Sequence, residues 1–167
     1  VPLSPSFSIP AGRGECHHET EVTVLIGLTL TNANEAECRA AIAGITLGLD
    51  LTLRDVQNVL KKNGHPWGGA KAFDGAAPLA PFMAPAAFGD LLDTTFSLTV
   101  NGELRQQGNT ADMITPVLAL LQYISTIFTL LPGDVVMTGT PEGVAALHSG
   151  DVLVLTLGAL SAETVIQ

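Results

Sequence analysis

From Glu19 to Ile26 the chain alternates: Glu19, Glu21 and Thr23 fall on one side, and Thr20, Val22, Val24 and Ile26 on the other. A period of two predicts a half-buried strand with both carboxylates facing the same way. Asn34 is suited to cap a helix whose first turn carries Glu35 and Glu37, and this helix is predicted to run to about Gly44, which stops it. A second alternation follows, with Ile45, Leu47, Leu49, Leu51 and Leu53 opposite Thr46, Gly48, Asp50, Thr52 and Arg54. Asp50 is therefore expected in mid-strand on a polar face. The next helix is predicted from about Asp55 to Lys62, with Val56, Val59 and Leu60 inward and Gly64 as its stop.

Residues 65–93 are rich in Gly, Ala and Pro and read as a loop, of a length that is uncommon without a job. Thr95 to Gln107 reads as a hairpin: Phe96, Leu98 and Val100 alternate, Asn101-Gly102 is the two-residue turn, and Leu104 lies on the return strand. The apolar stretch from Met113 to Leu131 is interrupted by Thr115, Pro116, Gln122, Ser125, Thr126 and Thr129. It predicts a mostly buried helix beginning near Pro116, with one polar stripe, and not a membrane span. Short strands are expected at Asp134–Met137, before Thr138-Gly139-Thr140-Pro141, and at Val152–Leu157, after the Gly150-Asp151 turn. Residues 1–14 read as an irregular arm.

Composition narrows the class. The 167 residues suit one domain spanning 1–167, and 17 glycines with 10 prolines favour a strand-rich α+β fold over a helical bundle. A net charge of −9, with only 7 scattered Lys and Arg, excludes nucleic acid as a partner. Cys16 and Cys38 form neither a metal-binding pair nor a disulfide framework, which points to free thiols in a reducing, cytoplasmic setting. The opening Val1-Pro2-Leu3-Ser4-Pro5 has no secretory pattern and no initiator Met, and reads as the middle of a longer protein.

The candidate chemistry starts from carboxylates. If the two strands are neighbours, Glu19, Glu21 and Asp50 form an all-oxygen cluster whose like charges need neutralising. A hard divalent cation does this, since Mg²⁺ prefers carboxylate and water oxygens and keeps open positions where a substrate can chelate. Glu19 and Glu21 alone serve equally as the solvent face of an edge strand. His17 shares their parity, and His-x-Glu-x-Glu suits zinc or non-haem iron, so an oxygenase is a coherent alternative. Lys71 by itself reads as a surface lysine, Trp67 and Phe73 as packing residues, and His65 and His148 as surface histidines. Thr138-Gly139-Thr140-Pro141 could form an anion-holding turn, but it lacks the Gly-Lys-Ser/Thr ending of a phosphate loop.

Taken in order, several blocks resemble the fumarylacetoacetate hydrolase family. They are His17-His18-Glu19-Thr20-Glu21, then Leu49 to Gln57, Ala70-Lys71-Ala72-Phe73-Asp74, Asn101-Gly102 with Gln106 and Gly108 to Met113, Pro132-Gly133-Asp134, Thr138 to Val144, and Gly150-Asp151. The resemblance is nearest to the small acylpyruvase and oxaloacetate decarboxylase branch, and it implies a mixed β-sheet roll with a few short helices. It further implies that Glu19, Glu21 and Asp50 hold Mg²⁺ or Mn²⁺, that Lys71, Thr140 and Arg54 contact a small 2-oxo acid, and that Lys71, Gln57 and Arg54 serve catalysis. The implied activity is hydrolysis of acylpyruvates or decarboxylation of oxaloacetate through an enolate. A hydroxymuconate-type isomerase and a non-catalytic ligand-binding domain are the alternatives. The family leads us to expect a homodimer. Members of the branch carry a His and a Glu on a short lid helix upstream of the matched region; that lid is expected to be missing from these residues, and neither His17 nor His18 is assigned its role.

Overall fold

Two runs of β-branched and leucine residues, 20–26 and 42–49, pair to make the centre of the molecule, and everything that positions the carboxylates hangs on that pair. The structure is a computed structural model that describes residues 1–167. Its first half runs β1 (Ser6–Phe7), β2 (Cys16–His18), β3 (Thr20–Ile26), α1 (Glu35–Ala41), β4 (Ile42–Leu49), β5 (Thr52–Leu53), α2 (Arg54–Lys62), α3 (Gly68–Lys71) and α4 (Pro85–Phe88). The second half continues with β6 (Thr95–Val100), β7 (Glu103–Asn109), α5 (Val117–Ile127), β8 (Val135–Met137), β9 (Ala145–Ala146), β10 (Val152–Leu157) and β11 (Leu160–Ile166). The strand-rich α+β expectation holds.

Three sheets result. One has the order β1-β11-β10-β6-β7, the second β4-β3-β8 and the third β5-β2-β9. Only β1 pairs in parallel, with β11, so part of the opening arm is strand. Leu98, Leu153, Leu155 and Leu157 of the large sheet and Val22, Val24, Leu47 and Leu49 of the β3–β4 pair belong to one continuous buried cluster. Burying such side chains contributes about 1.5–3 kcal/mol each before chain entropy is set against it. β3 is central in its sheet and buried on both faces, not half-buried as its alternation suggested.

Several local expectations are met. Asn34 caps α1 by accepting from Glu37 N–H at 3.0 Å, while Glu37 accepts from Asn34 N–H at 2.8 Å, a reciprocal arrangement worth about 1 kcal/mol. Asn101 and Gly102 both take positive φ, 54° and 80°, as the two-residue hairpin turn requires.

Others are corrected. α1 ends at Ala41 and the chain enters β4 directly through Ile42, because pairing with β3 captures the apolar run. Gly44 lies inside that strand, and its missing side chain admits Phe82, which a Cβ would meet at 3.0 Å. Asp50 is not in mid-strand: it sits in the break between β4 and β5, where its N–H donates to the Glu19 carbonyl at 2.8 Å. On α2 it is Gln57 that is buried, whereas Val59 is 59 % exposed. Residues 65–93 do not wander. Between Ala76 and Met83 this segment lies along the outer edge of β4 and trades backbone hydrogen bonds with Leu51, Leu49, Leu47 and Ile45. The helix expected across 113–131 is α5 alone, and it is buried only at Val117, Leu118, Leu121 and Ser125. Trp67 is 47 % exposed under the Lys61 ammonium, a cation–π contact at 5.2 Å and not core packing. No helix is long and apolar enough to cross a membrane.

Candidate metal centre and its cavity

Glu19 occupies the single residue between β2 and β3, and Glu21 lies two positions on, so strand parity turns both carboxylates the same way. The antiparallel register pairs Thr20 with Leu49, which brings Asp50 beside Glu19 at the strand end. Opposite Glu21 stands Gly48, where a Cβ would come within 2.7 Å of Leu79 and 3.0 Å of the Thr23 hydroxyl. One carboxylate oxygen from each of Glu19, Glu21 and Asp50 lies within 4.8 Å of the others.

Two cations face these three acids. Arg54, the first residue of α2, donates to Glu19 at 2.6 Å and to the Gln57 side-chain oxygen at 2.7 Å. Lys71, at the end of α3, donates to Glu19 at 2.7 Å and to Asp50 at 2.5 Å. Its ammonium therefore sits among the carboxylates, not on the surface. Burial disfavours the charged form of Glu19, but the bonds from Lys71 and Arg54 outweigh it and hold its pKa below the ordinary range. Burial likewise opposes the Lys71 charge, and Asp50 and Glu19 reverse the balance and raise its pKa. Asp50 is raised, by burial that its bond with Lys71 does not cancel.

Glu21 has no cation of its own. Burial pushes its carboxyl up to about 7, against the Gly139 N–H that donates to it at 2.6 Å, and the charges of Asp50 and Glu19 add to the rise. When ionised, the third carboxylate therefore has no counter-charge in this largely buried cluster. Oxygen donors, close convergence and missing positive charge together fit a hard divalent cation.

His17 does not join the cluster. Its Nε2 lies 2.9 Å from Glu15, and its Nδ1 accepts from Arg54 Nε at 3.4 Å. The zinc or iron arrangement is therefore not formed, because the imidazole is committed to Glu15 and Arg54.

The Thr138-Gly139-Thr140-Pro141 turn does hold an anion, and that anion is Glu21. Thr138 donates its hydroxyl to the Val22 carbonyl at 2.8 Å and Thr140 donates to the Thr20 carbonyl at 2.9 Å, which ties the turn to β3. Beyond it, Gly143 takes φ 100° against the Arg105 carbonyl, with no space for a Cβ. Gln106 of β7 ties the turn from the other side by donating to the Thr140 hydroxyl at 2.8 Å and to the Pro141 carbonyl at 3.0 Å. Sequence reasoning gave no role to Gln106 or to buried His18, and it read the 138–141 turn as anion-holding without identifying Glu21 as the anion. The available signal for Gln106 was its place among the blocks shared with the family; the structure shows it as the only buried position of β7.

A cavity of about 580 Å³ opens beside this turn. Thr138, Gly139, Thr140 and Pro141 form one wall, and Gln107, Asn109, Asp112, Met113 and Thr115 line the remainder. Glu21 lies behind the wall at Gly139, so the cavity and the carboxylate cluster share that turn.

A strand-rich α+β fold with three carboxylates gathered beside such a cavity defines a class that the comparisons make specific. The profile described as Fumarylacetoacetate (FAA) hydrolase C-terminal matches residues 2–165, and the chain belongs to that family. It is 54 % identical over 163 residues to oxaloacetate tautomerase YcgM of Escherichia coli, covering 97 % of this chain and 74 % of that protein. It is 40 % identical over 151 residues to the mitochondrial oxaloacetate tautomerase FAHD1 of Bos taurus, covering 90 % and 68 %. The crystal structure of fumarylpyruvate hydrolase from Pseudomonas aeruginosa in complex with Mn²⁺ and pyruvate superposes with a TM-score of 0.94 at 32 % identity, covering 99 % of this chain and 73 % of that one.

Proposed function

We propose that this chain is a divalent-metal-dependent enzyme of small 2-oxo acids that interconverts the enol and keto forms of oxaloacetate. The observation that carries the reading is the convergence of Glu19, Glu21 and Asp50, with one charge left unbalanced, beside a cavity of substrate size. The names of the two tautomerase relatives supply the substrate. Glu19, Glu21 and Asp50 would hold Mg²⁺ or Mn²⁺, which supplies Lewis-acid stabilisation of negative charge on the 2-oxo oxygen.

The side chains of the chain do the rest. With a dication on the carboxylates, the Lys71 ammonium would be released from Glu19 and Asp50 and would serve to neutralise the substrate carboxylate. Arg54 fixes Glu19 and Gln57 together. Because the Gln57 oxygen is taken by Arg54, its amide nitrogen is left to hold a water or the substrate. Thr140 stands in the cavity wall as a substrate contact.

The test follows the loss of enol absorbance after enol-oxaloacetate is added. Turnover should vanish on chelation and return with Mg²⁺ or Mn²⁺; an unchanged rate in metal-free protein would refute the reading. A second reading, cleavage of acylpyruvates, is favoured by the likeness to the fumarylpyruvate hydrolase. Pyruvate released from acetylpyruvate at a rate matching ketonisation would establish it.

We also propose a homodimer. Leu28, Tyr123, Ile127, Phe128 and Leu131 are each more than half exposed, and the backbone bonds between Leu30 and Leu130 hold the two loops of this patch together. Sedimentation at twice the chain mass is the expected result, and a monomer at micromolar concentration would rule it out.

A further inference from the structure

The side-chain amide of Gln106 makes four hydrogen bonds, and obligate partners fix the direction of each. The Thr20 backbone N–H can only donate, so the amide atom it meets at 3.0 Å is Oε1. Nε2 must then be the donor to the Pro141 carbonyl and to the Thr140 hydroxyl. Oε1 carries no proton, so His18 Nδ1, at 2.9 Å from it, must carry one. The Thr140 hydroxyl already accepts from Gln106, and its only proton goes to the Thr20 carbonyl at 2.9 Å. Thr140 lines the cavity, with one lone pair left and no proton to give.

We propose that Gln106 is a positioning residue that locks the Thr140 hydroxyl as a hydrogen-bond acceptor, so that this point of the cavity recognises a protonated ligand oxygen, such as an enol or 2-hydroxyl group, and not a carboxylate. A carboxylate brought to Thr140 sets two acceptors against each other. Rotating the hydroxyl to meet it strips the Thr20 carbonyl of its donor, the kind of loss that costs more than the new bond returns. The ligand class rests on the 2-oxo acid reading above; the directions of the bonds do not.

Two measurements test this independently. In ¹⁵N-labelled protein without ligand, the His18 ring should show a protonated, pyrrole-type Nδ1 and an unprotonated Nε2. The opposite tautomer would overturn the proposal whatever the substrate is. In Mg²⁺-loaded protein, calorimetry should find that Thr140→Val weakens malate roughly three- to tenfold while leaving oxalate within about twofold. Gln106→Leu should lower the same malate-to-oxalate ratio, and Thr140→Val keeps the test valid if that variant does not fold. Equal weakening of both ligands by Thr140→Val overturns this inference and leaves the metal and 2-oxo acid reading intact. Binding of neither ligand by the unaltered protein overturns both.

Discussion

Glu21→Gln is expected to lower metal-dependent kcat/KM by at least about a hundredfold, a loss no smaller than that seen when outer-shell partners of metal ligands are removed. The same change should make the metal-free protein more stable above pH 7. Glu21 is the carboxylate without a cation, and burial raises its carboxyl from 4.5 to about 7. Between those values the unfolded chain has released a proton that the folded chain still binds. Stability contributed by the protonated group is therefore complete below about pH 4.5 and is lost as pH rises to about 7. Glutamine removes that loss and can still accept from Gly139 N–H. Asp50, also raised, titrates in the same sense, so the variant keeps a smaller pH dependence. Calorimetry in chelator at pH 5 and pH 8 should show the wild-type melting temperature falling by on the order of 5 °C, with the variant falling less. A variant whose melting temperature falls as far as that of the wild type over this range would refute the electrostatic argument.

Lys71→Met should separate binding of the metal from use of it. The ammonium lies 2.7 Å from Glu19 and 2.5 Å from Asp50, inside the space a dication needs. Removing it deletes a competitor and a nearby like charge, so Mn²⁺ affinity should rise at least about tenfold. Turnover of the 2-oxo acid should fall at least about a hundredfold, because the substrate carboxylate loses its counter-charge in a partly dry site. In the absence of metal the variant should melt lower than wild type, since Asp50 then has no cationic hydrogen-bond partner. Mn²⁺ titration and steady-state kinetics on the same preparation check both directions. Weaker Mn²⁺ binding in Lys71→Met would overturn the account of this side chain.

Much of the carboxylate cluster was legible in the chain because it depends on strand period. Glu19 and Glu21 sit two residues apart in one extended segment, where the period of two turns both side chains the same way. Asp50 was legible as a partner but not in its setting: the alternation runs unbroken from Ile45 to Arg54, whereas β4 ends at Leu49 and Asp50 stands in the gap before β5. Gly44 looked like a helix stop because local rules know nothing of Phe82, which approaches from a segment nearly forty positions away. The partners of Gly139 and Gln106 were not legible for the same reason, since Glu21 and Thr140 are 118 and 34 residues distant. The apolar residues of α5 and its flanks pointed to a core because hydrophobic pattern alone does not report exposure, and Tyr123, Ile127, Phe128 and Leu131 stand exposed. Family resemblance, not pattern, raised Lys71 from a surface lysine, and its two carboxylate bonds put it in the cluster.

The central claim is a divalent cation on Glu19, Glu21 and Asp50, and anomalous diffraction from crystals grown with Mn²⁺ tests it most directly. The account predicts one manganese peak, about 2.0–2.3 Å from a carboxylate oxygen of each of the three residues, with the Lys71 ammonium withdrawn from between Glu19 and Asp50. A peak at His17 and Glu15 instead, or no peak with Lys71 still bonded to both acids, would contradict it.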